Sequence, residues 1–590
     1  MSFKKHSMRE REKLAKQFRV PTRVTQVAVT KYLQALDCPR ALTVYLLYSS
    51  GEHEQLAQLE VQPQDYGSLE AFRDAYAATM LLSKAEFLIL PYDVEQKAMQ
   101  KFEKFEFLCK QTNKRFNNLM VDPLFKGANV WLLNATIQKI HRVLGTLSIE
   151  DVFEHANWGP GVTTFLKGDE ATSVNKFQCE TGTTRDLYNL LPMDGLPFEF
   201  PIWQDHLRKN TDYPKFTVGN QVITVPKDAR ADRVIAVEPG INLWFQLGIG
   251  SVIRHKLRRV GVDLNTQERN RLLAQQGSKT SALATVDFSS ASDSIARRLV
   301  EEVLPLDWFR LMDSCRSHYG IQDTKATRWE KFSSMGNGFT FELESLLFYA
   351  AATSVAEYMD LPCRDISVYG DDVIIPVECF ELYSSFCCFL GFVVNPDKSF
   401  HRGYFRESCG GHFWKGVDVT PIFLKKVVSS VSTVIKFANA IRRLAHRFVQ
   451  KAACDARFRA VWHYLFHEIP QPTRLTGSDR PKHPDELDEE FEKRGDGWFI
   501  CNFDEATCSI ARYERSPQGV IDTQVEGYYA LAYVETGITQ SSEGVGLLLV
   551  RLKTTTSPQE QGNNFAPRGR VRVRVIRILI DAWYDLGPWV

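Results

Sequence analysis

Three aspartates offer the most pointed chemistry in this sequence. Asp287 ends the apolar run Ala282–Val286, and Asp371-Asp372 follow Gly370 between the stretches Asp365–Val368 and Val373–Val377. β-Branched residues dominate both flanks, so each reads as a short strand, with Gly370-Asp371 as the turn of a tight hairpin. Adjacent carboxylates at such a tip repel each other, and an oxygen-seeking divalent cation is their usual partner. Alone, the triplet reads as readily as a solvated turn. A carboxylate ending a buried strand, however, sits where sheet enzymes place ligands. If both strands lie in one sheet, with a helix crossing between them, the three carboxylates meet. They can then hold two Mg²⁺ ions about 3.5–4 Å apart, the spacing used for in-line phosphoryl transfer, with Mn²⁺ as a possible substitute.

Other residues fit around that centre. Lys227, Arg230 and Arg233 fall on a turn between two apolar stretches, and three cations there suit a polyanion such as a triphosphate. A solvated hairpin turn accounts for them equally well. Asp293 lies six positions beyond Asp287, close to the start of a helix expected over Ile295–Val303, with Ser289, Ser290 and Ser292 available to cap it. The loop Ser333–Phe339 carries Gly336, Asn337 and Gly338 ahead of a long apolar helix reaching about Met359, so its backbone can approach a ligand closely. Glu342 and Glu344 stand in that helix among large apolar residues, which predicts burial. Lys398 follows a Pro396-Asp397 turn and reads by default as a surface lysine. Phe405–Trp414 reads as a second tight hairpin.

The elements that must position these residues are legible more coarsely. The chain has 590 residues, 44% of them hydrophobic, enough for several domain-sized cores. Its net charge of +1 identifies no partner, so any basic surface is local. The 12 cysteines include no CxxC pair and no zinc spacing, which predicts a reduced protein, with Cys387 and Cys388 in a core helix. No apolar signal core and no run approaching about 18 apolar residues is present, so neither secretion nor a membrane span is expected. A Walker A loop is absent. Residues 1–24 are basic, 25–150 mainly helical, and 155–168 a Gly-rich loop. Further on, Val434, Phe437, Ala438, Ile441, Leu444 and Phe448 form a helical stripe, with Lys436, Arg442, Arg443 and Arg447 mostly off it, a basic face open equally to a phosphate backbone or to solvent. Residues 470–497 read as an exposed linker. Arg568, Arg570, Arg572 and Arg574 alternate along a strand, where RNA contact and edge protection are both reasonable.

An aspartate ending a strand, Ser-Met-Gly-Asn-Gly before a helix, and Tyr-Gly-Asp-Asp in a hairpin occur in the order of the RNA-dependent RNA polymerase palm. More narrowly, Thr285–Ser294, Ser334–Ser345, Tyr369–Asp372 and Phe405–Gly410 resemble the replicase catalytic (β) subunit of single-stranded RNA bacteriophages, as do Thr224–Lys227 and Gly261–Asn265. The resemblance covers roughly residues 220–425. It implies an α+β right-hand fold, with fingers and N-terminal scaffold over 1–240, an antiparallel palm sheet with flanking helices over 241–420, and a thumb and C-terminal region over 421–590. It implies primer-independent copying of a single-stranded RNA template into RNA from NTPs, in the cytoplasm of a bacterial host. Asp287, Asp371 and Asp372 would hold the metals. Asp293 and Asn337, in the loop with Gly336, would sense the ribose 2′-hydroxyl. Lys227, Arg230 and Arg233 would meet the phosphates, and Lys398 would act as general acid toward pyrophosphate. Host elongation factors Tu and Ts and a host ribosomal protein are implied partners. Another palm-fold enzyme, such as a reverse transcriptase or nucleotide cyclase, and a non-catalytic RNA-binding protein are the competing readings. Asp293 with Asn337 disfavours DNA synthesis, and the intact carboxylate set disfavours a relic palm.

Overall fold

The computed structural model describes residues 17–159, 161–168, 171, 176, 181–191, 214–449 and 453–470. Beyond these it describes only 475–476, 500–501, 511–516, 572–577 and 589–590. The basic stretch 1–16, the linker residues 477–497, Arg568 and Arg570 lie outside the described residues. Arg572 and Arg574 fall on the strand Arg572–Arg577, which pairs antiparallel with Ala511–Ser516.

The N-terminal part is helical, as its periodicity predicts. Ser68 starts the Leu69–Met80 helix, its Oγ accepting from the Ala71 N–H at 3.2 Å. Asp93 starts the Val94–Asn117 helix, accepting from the Glu95 and Gln96 N–H groups. Both side chains satisfy donors that a helix start leaves without partners.

The strands, in chain order, are β1 (Gly182–Thr183), β2 (Lys215–Phe216), β3 (Asn220–Asp228), β4 (Ala231–Val237), β5 (Leu283–Val286), β6 (Tyr319–Gln322), β7 (Lys325–Arg328), β8 (Ser367–Tyr369), β9 (Asp372–Pro376), β10 (Phe405–Ser408), β11 (Gly411–Trp414) and β12 (Val417–Asp418). Three sheets matter for the site. One is β5-β9-β8, one β4-β3-β6-β7 and one β10-β11-β12. The central sheet is antiparallel, with Leu283 opposite Pro376 and Val286 opposite Val373. All four β5 residues are buried, which explains why apolar residues there do not alternate with exposed polar ones, Thr285 being buried too.

Against this sheet packs the Thr340–Tyr358 helix, with Glu342 and Glu344 buried as expected. Its core also takes in the Ala128–Leu144, Gly240–Arg259, Leu306–Cys315 and Phe380–Leu390 helices. Phe288 stacks on Phe348 with ring centroids 4.2 Å apart, locking the turn after Asp287 to that helix. A second core joins the ends of the described chain. Val24, Tyr32 and Leu36 pack with Val434, Ile441, Leu444 and Trp462.

Two local expectations are corrected. The Val431–Val449 helix does bury the predicted apolar stripe, but Arg442 is fully buried beside it, its guanidinium 3.9 Å from the Trp589 ring centre. Arg447 donates to the Thr420 carbonyl at 2.9 Å, so this helix is not simply a solvated cationic face. Cys387 is buried, whereas Cys388 faces outward on the same helix. Cys38, Cys109, Cys315, Cys363, Cys379, Cys387, Cys388, Cys409 and Cys454 are free thiols, and among the described residues no helix is long and apolar enough to cross a membrane.

Candidate active site

The β5–β9 ladder runs on toward the carboxylates. Val286 and Val373 are its last pair, so Asp287 directly follows the end of β5 and Asp372 directly precedes Val373, with Asp371 in the adjoining turn. That turn connects β8 to β9 through Gly370 and Asp371, with Tyr369 opposite Asp372. Gly370 has φ +61°, and a Cβ there would lie 2.6 Å from the Phe341 ring. Its N–H donates to Ser345 Oγ at 3.0 Å, tying the hairpin tip to the long helix. Glycine is required here by backbone conformation and by close packing.

Each aspartate has its own supports. Asp287 Oδ1 accepts from Asn395 Nδ2 at 2.9 Å, and its N–H donates to Ser399 Oγ at 3.1 Å. Lys398 Nζ lies 3.8 Å from Asp287 Oδ2. Asp372 Oδ1 accepts from Ser408 Oγ and from the Cys409 N–H, both at 3.1 Å. Cys409 has φ +49°, a conformation a non-glycine residue adopts at a cost. The β10–β11 turn therefore holds a strained residue whose N–H is spent on the aspartate.

The electrostatics is that of crowded anions. Burial pushes Asp371 up to about 6, with the Asp287 and Asp372 charges adding to it. Asp287 and Asp372 are also raised, burial leading in both. Lys398 is exposed, and although burial opposes its charge, Asp287, Glu407, Asp371 and Asp372 together raise it. Glu344 is buried 3% exposed and raised well above the ordinary carboxyl range by burial first and Asp371 next. It accepts from Ser292 Oγ at 2.9 Å.

Hard carboxylate oxygens held together with incompletely compensated charge suit a divalent oxygen-seeking ion. Asp287, Asp371 and Asp372 supply oxygens and unbalanced charge of that kind. Among the described residues no three His, Cys, Asp or Glu side chains form a ready coordination sphere, and Asp372 is turned toward the β10–β11 hairpin.

The remaining candidates fall on three other segments. Lys227 stands at the end of β3, Arg230 in the turn and Arg233 on β4, so the cations share one hairpin, as expected. Lys227 is exposed, yet burial of its stem, followed by Arg233, holds it below the ordinary lysine value, with Lys398 contributing. Arg230 already has an anion, Asp228 Oδ2 at 3.6 Å. Asn337 is buried, and its Oδ1 accepts from the Phe339 N–H at 3.0 Å. Its Nδ2 has no hydrogen-bond partner, an unusual state for a buried donor. Gly336 has φ +112°, and a Cβ there would overlap the Ala236 carbonyl of β4. It sits against that strand, whose Ala236 N–H donates to the Met335 carbonyl at 2.9 Å.

Asp293 ends a short 3-10 turn, Ala291–Asp293, and the helix beyond it begins only at Arg297. Of the serines expected to cap that helix, Ser292 instead donates to Glu344, while the Ser290 carbonyl accepts from Ser294 Oγ at 2.8 Å.

A family profile described as "RNA replicase, beta-chain" matches residues 30–483. The chain belongs to that family. It is 38% identical to the RNA-directed RNA polymerase beta chain of Escherichia phage MS2 over 379 residues, 62% of this chain and 69% of that one. To the corresponding subunit of Escherichia virus Qbeta it is 37% identical, over 66% of this chain and 65% of that one. The beta chain of Enterobacteria phage fr matches at 37%, over 71% and 78%. The family profile thus takes in the aspartate centre, the cationic hairpin and the Ser333–Phe339 loop.

Several site residues carry no signal of their own in the sequence. Asn395 and Ser399 flank the Pro396-Asp397 turn and are recognisable only once the chain is seen to run alongside β5, where Phe400 N–H donates to the Thr285 carbonyl at 2.8 Å. Glu344 looked like one more carboxylate on a crowded helix. Ser408 lay within a motif whose partner was not evident.

Proposed function

We propose that the chain is an RNA-dependent RNA polymerase that replicates a single-stranded RNA phage genome by nucleotidyl transfer from NTPs, without a primer. The observation that carries the reading is that Asp287 and Asp372 flank the last pair of the β5–β9 ladder, beside Asp371, in a chain of the replicase family. These three aspartates would hold two Mg²⁺ ions, for which Mn²⁺ could substitute. Bound there, the ions supply charge that activates the attacking 3′-hydroxyl and steadies the leaving pyrophosphate.

The chain's own residues do the positioning. Lys227, Arg230 and Arg233 neutralise the triphosphate, and the depressed Lys227 is relieved when an anion arrives beside it. Asn337 offers its unpaired Nδ2, and Asp293 a carboxylate, to the ribose hydroxyls. Gly336 shapes the loop that presents Asn337. Lys398 is charged and pairs with Asp287. Its role as a proton donor to pyrophosphate becomes effective only once cations have neutralised the surrounding carboxylates, since these raise its pKa.

In domain terms residues 1–240 form the fingers and N-terminal scaffold, 241–420 the palm and 421–590 the thumb and C-terminal region. The template and product are RNA, and the setting is the cytoplasm of a bacterial host. Host elongation factors Tu and Ts and a host ribosomal protein complete the assembly. The test is Mg²⁺-dependent incorporation of NTPs on an RNA template, with and without primer, by the chain alone and then with bacterial lysate. Incorporation that needs template and ion supports the reading. RNA binding without incorporation in either setting supports the non-catalytic alternative.

A further inference from the structure

Lys331 has no exposed surface, a costly place for an ammonium group. What surrounds it explains how the charge is kept. Its Nζ donates to Asp293 Oδ1 at 3.2 Å and lies 3.5 Å from Glu106 Oε2. It also sits 3.3 Å from the centre of the Phe102 ring and 5.3 Å from that of Trp329, both favourable for a cation.

The backbone fixes this arrangement. Ala296 and Lys331 form an isolated antiparallel bridge. Phe332 N–H donates to the Ile295 carbonyl at 2.6 Å, and Arg297 N–H to the Glu330 carbonyl at 3.1 Å. Lys331 is thereby delivered directly behind the turn that ends at Asp293.

The Val94–Asn117 helix closes the other side. Phe102, Glu106, Cys109 and Asn113 are spaced 4, 3 and 4 positions apart, so they share one helical face. Cys109 Sγ donates to the Asp293 carbonyl at 3.3 Å. Asn113 Nδ2 donates to the Glu330 carbonyl at 2.7 Å, and its Oδ1 accepts from the Arg298 N–H at 2.8 Å. Glu106 accepts from the Glu330 N–H. The same helix packs Ala98 and Phe102 against Val234 of the cationic hairpin. One helix therefore carries the turn that presents Asp293 and the hairpin that presents Lys227 and Arg233.

We infer that Lys331, braced by Glu106 and Phe102, is the positioning residue for Asp293 and sets the preference for ribonucleotides over deoxyribonucleotides. It fixes Oδ1 of Asp293. Oδ2, which has no hydrogen bond among the described residues, is left to meet the sugar. Without the ammonium, Asp293 and Glu106 would face each other as like charges, and Asp293 would lose its fixed orientation. This inference rests on the proposed role of Asp293 at the ribose.

The test compares kcat/KM for ATP and dATP, using the purified full chain with bacterial lysate proteins added where synthesis needs them. Lys331→Met fills the same volume without charge and should narrow the ATP preference by about tenfold, the scale of one lost polar discrimination contact. Lys331→Arg should restore most of the preference. Should Lys331→Met fail to fold, Lys331→Gln is read by the same ratio. An unchanged ratio, with both nucleotides slowed alike, makes Lys331 a scaffold residue and overturns the inference. Asp293→Asn separates the two layers. If it leaves the ratio intact, the ribose reading of Asp293 is what falls. If it narrows the ratio while Lys331→Met does not, only the Lys331 inference falls.

Discussion

Asp287 and Asp372 flank the Val286–Val373 pair that ends the β5–β9 ladder, although 85 positions separate them in the chain (372 − 287). After burial, the Asp372 charge helps to raise the Asp287 carboxyl, so the two like charges lie near enough to destabilise each other. The fold maintains this with hydrogen bonds from Asn395 to one carboxylate and from Ser408 and Cys409 to the other. Asp371→Asn removes one charge from the cluster and leaves the turn geometry unchanged. Nucleotide incorporation should fall by roughly a thousandfold or more, since charge stabilisation of several kcal/mol is lost. RNA affinity, measured by filter binding, should stay within about twofold. Wild-type synthesis by this variant removes Asp371 from the mechanism.

The cationic hairpin makes a graded prediction. Lys227 has no ion-pair partner among the described residues, whereas Arg230 is already beside Asp228. Lys227→Ala should therefore raise the NTP KM by roughly tenfold, the worth of one charge-assisted contact, with kcat changed less. Arg230→Ala should raise it less. Steady-state kinetics across NTP concentrations checks the order, and a reversed order refutes the proposed division of labour.

Much of this centre was legible because its signals are local. Gly370 between β-branched flanks specifies a hairpin, and the apolar run before Asp287 specifies a buried strand. What was not legible depends on partners distant in the chain. Lys331 is an ordinary lysine until the bridge to Ala296 sets it behind Asp293. Arg442 lies off the apolar stripe of its helix, yet Trp589 covers it. The serines after Asp287 have the composition of a helix cap, but Ser292 is better satisfied by buried Glu344, and the helix starts later. Tertiary partners outrank local preference in each case.

His412 gives the fold a pH dependence. Only 3% of it is exposed, and burial depresses it to about 3, with Lys84 next. Its Nδ1 is hydrogen-bonded to the Tyr76 hydroxyl at 2.6 Å. Nε2 lies 3.4 Å from Glu407 Oε1, but Glu407 is itself raised by burial, so this contact does not keep the ring charged at neutral pH. The folded value lies below the unfolded value of about 6.5, so below that pH the unfolded chain binds the extra proton. The contribution is fully present above about pH 6.5 and declines as pH falls toward 3, by about 1.4 kcal/mol at pH 5.5. Urea unfolding midpoints from pH 7.5 to 5.5 should fall less steeply in His412→Leu than in the native chain. Parallel slopes would show that His412 is not the group responsible.

Gly336 and Asn337 are neighbours whose substitutions should fail in different ways. Gly336 is confined by its φ of +112° and by the Ala236 carbonyl, so Gly336→Ala must lift the loop from β4. A loss of about 2–4 kcal/mol in urea unfolding is expected, from backbone strain and overlap together. Asn337→Ala removes an amide whose Nδ2 had no protein partner, though it also takes away the acceptor of the Phe339 N–H. Its stability cost should be about 1 kcal/mol, while its ATP-over-dATP preference narrows. A Gly336→Ala protein of native stability and altered sugar preference would reverse these assignments, placing the backbone at Gly336, rather than the amide of Asn337, at the nucleotide.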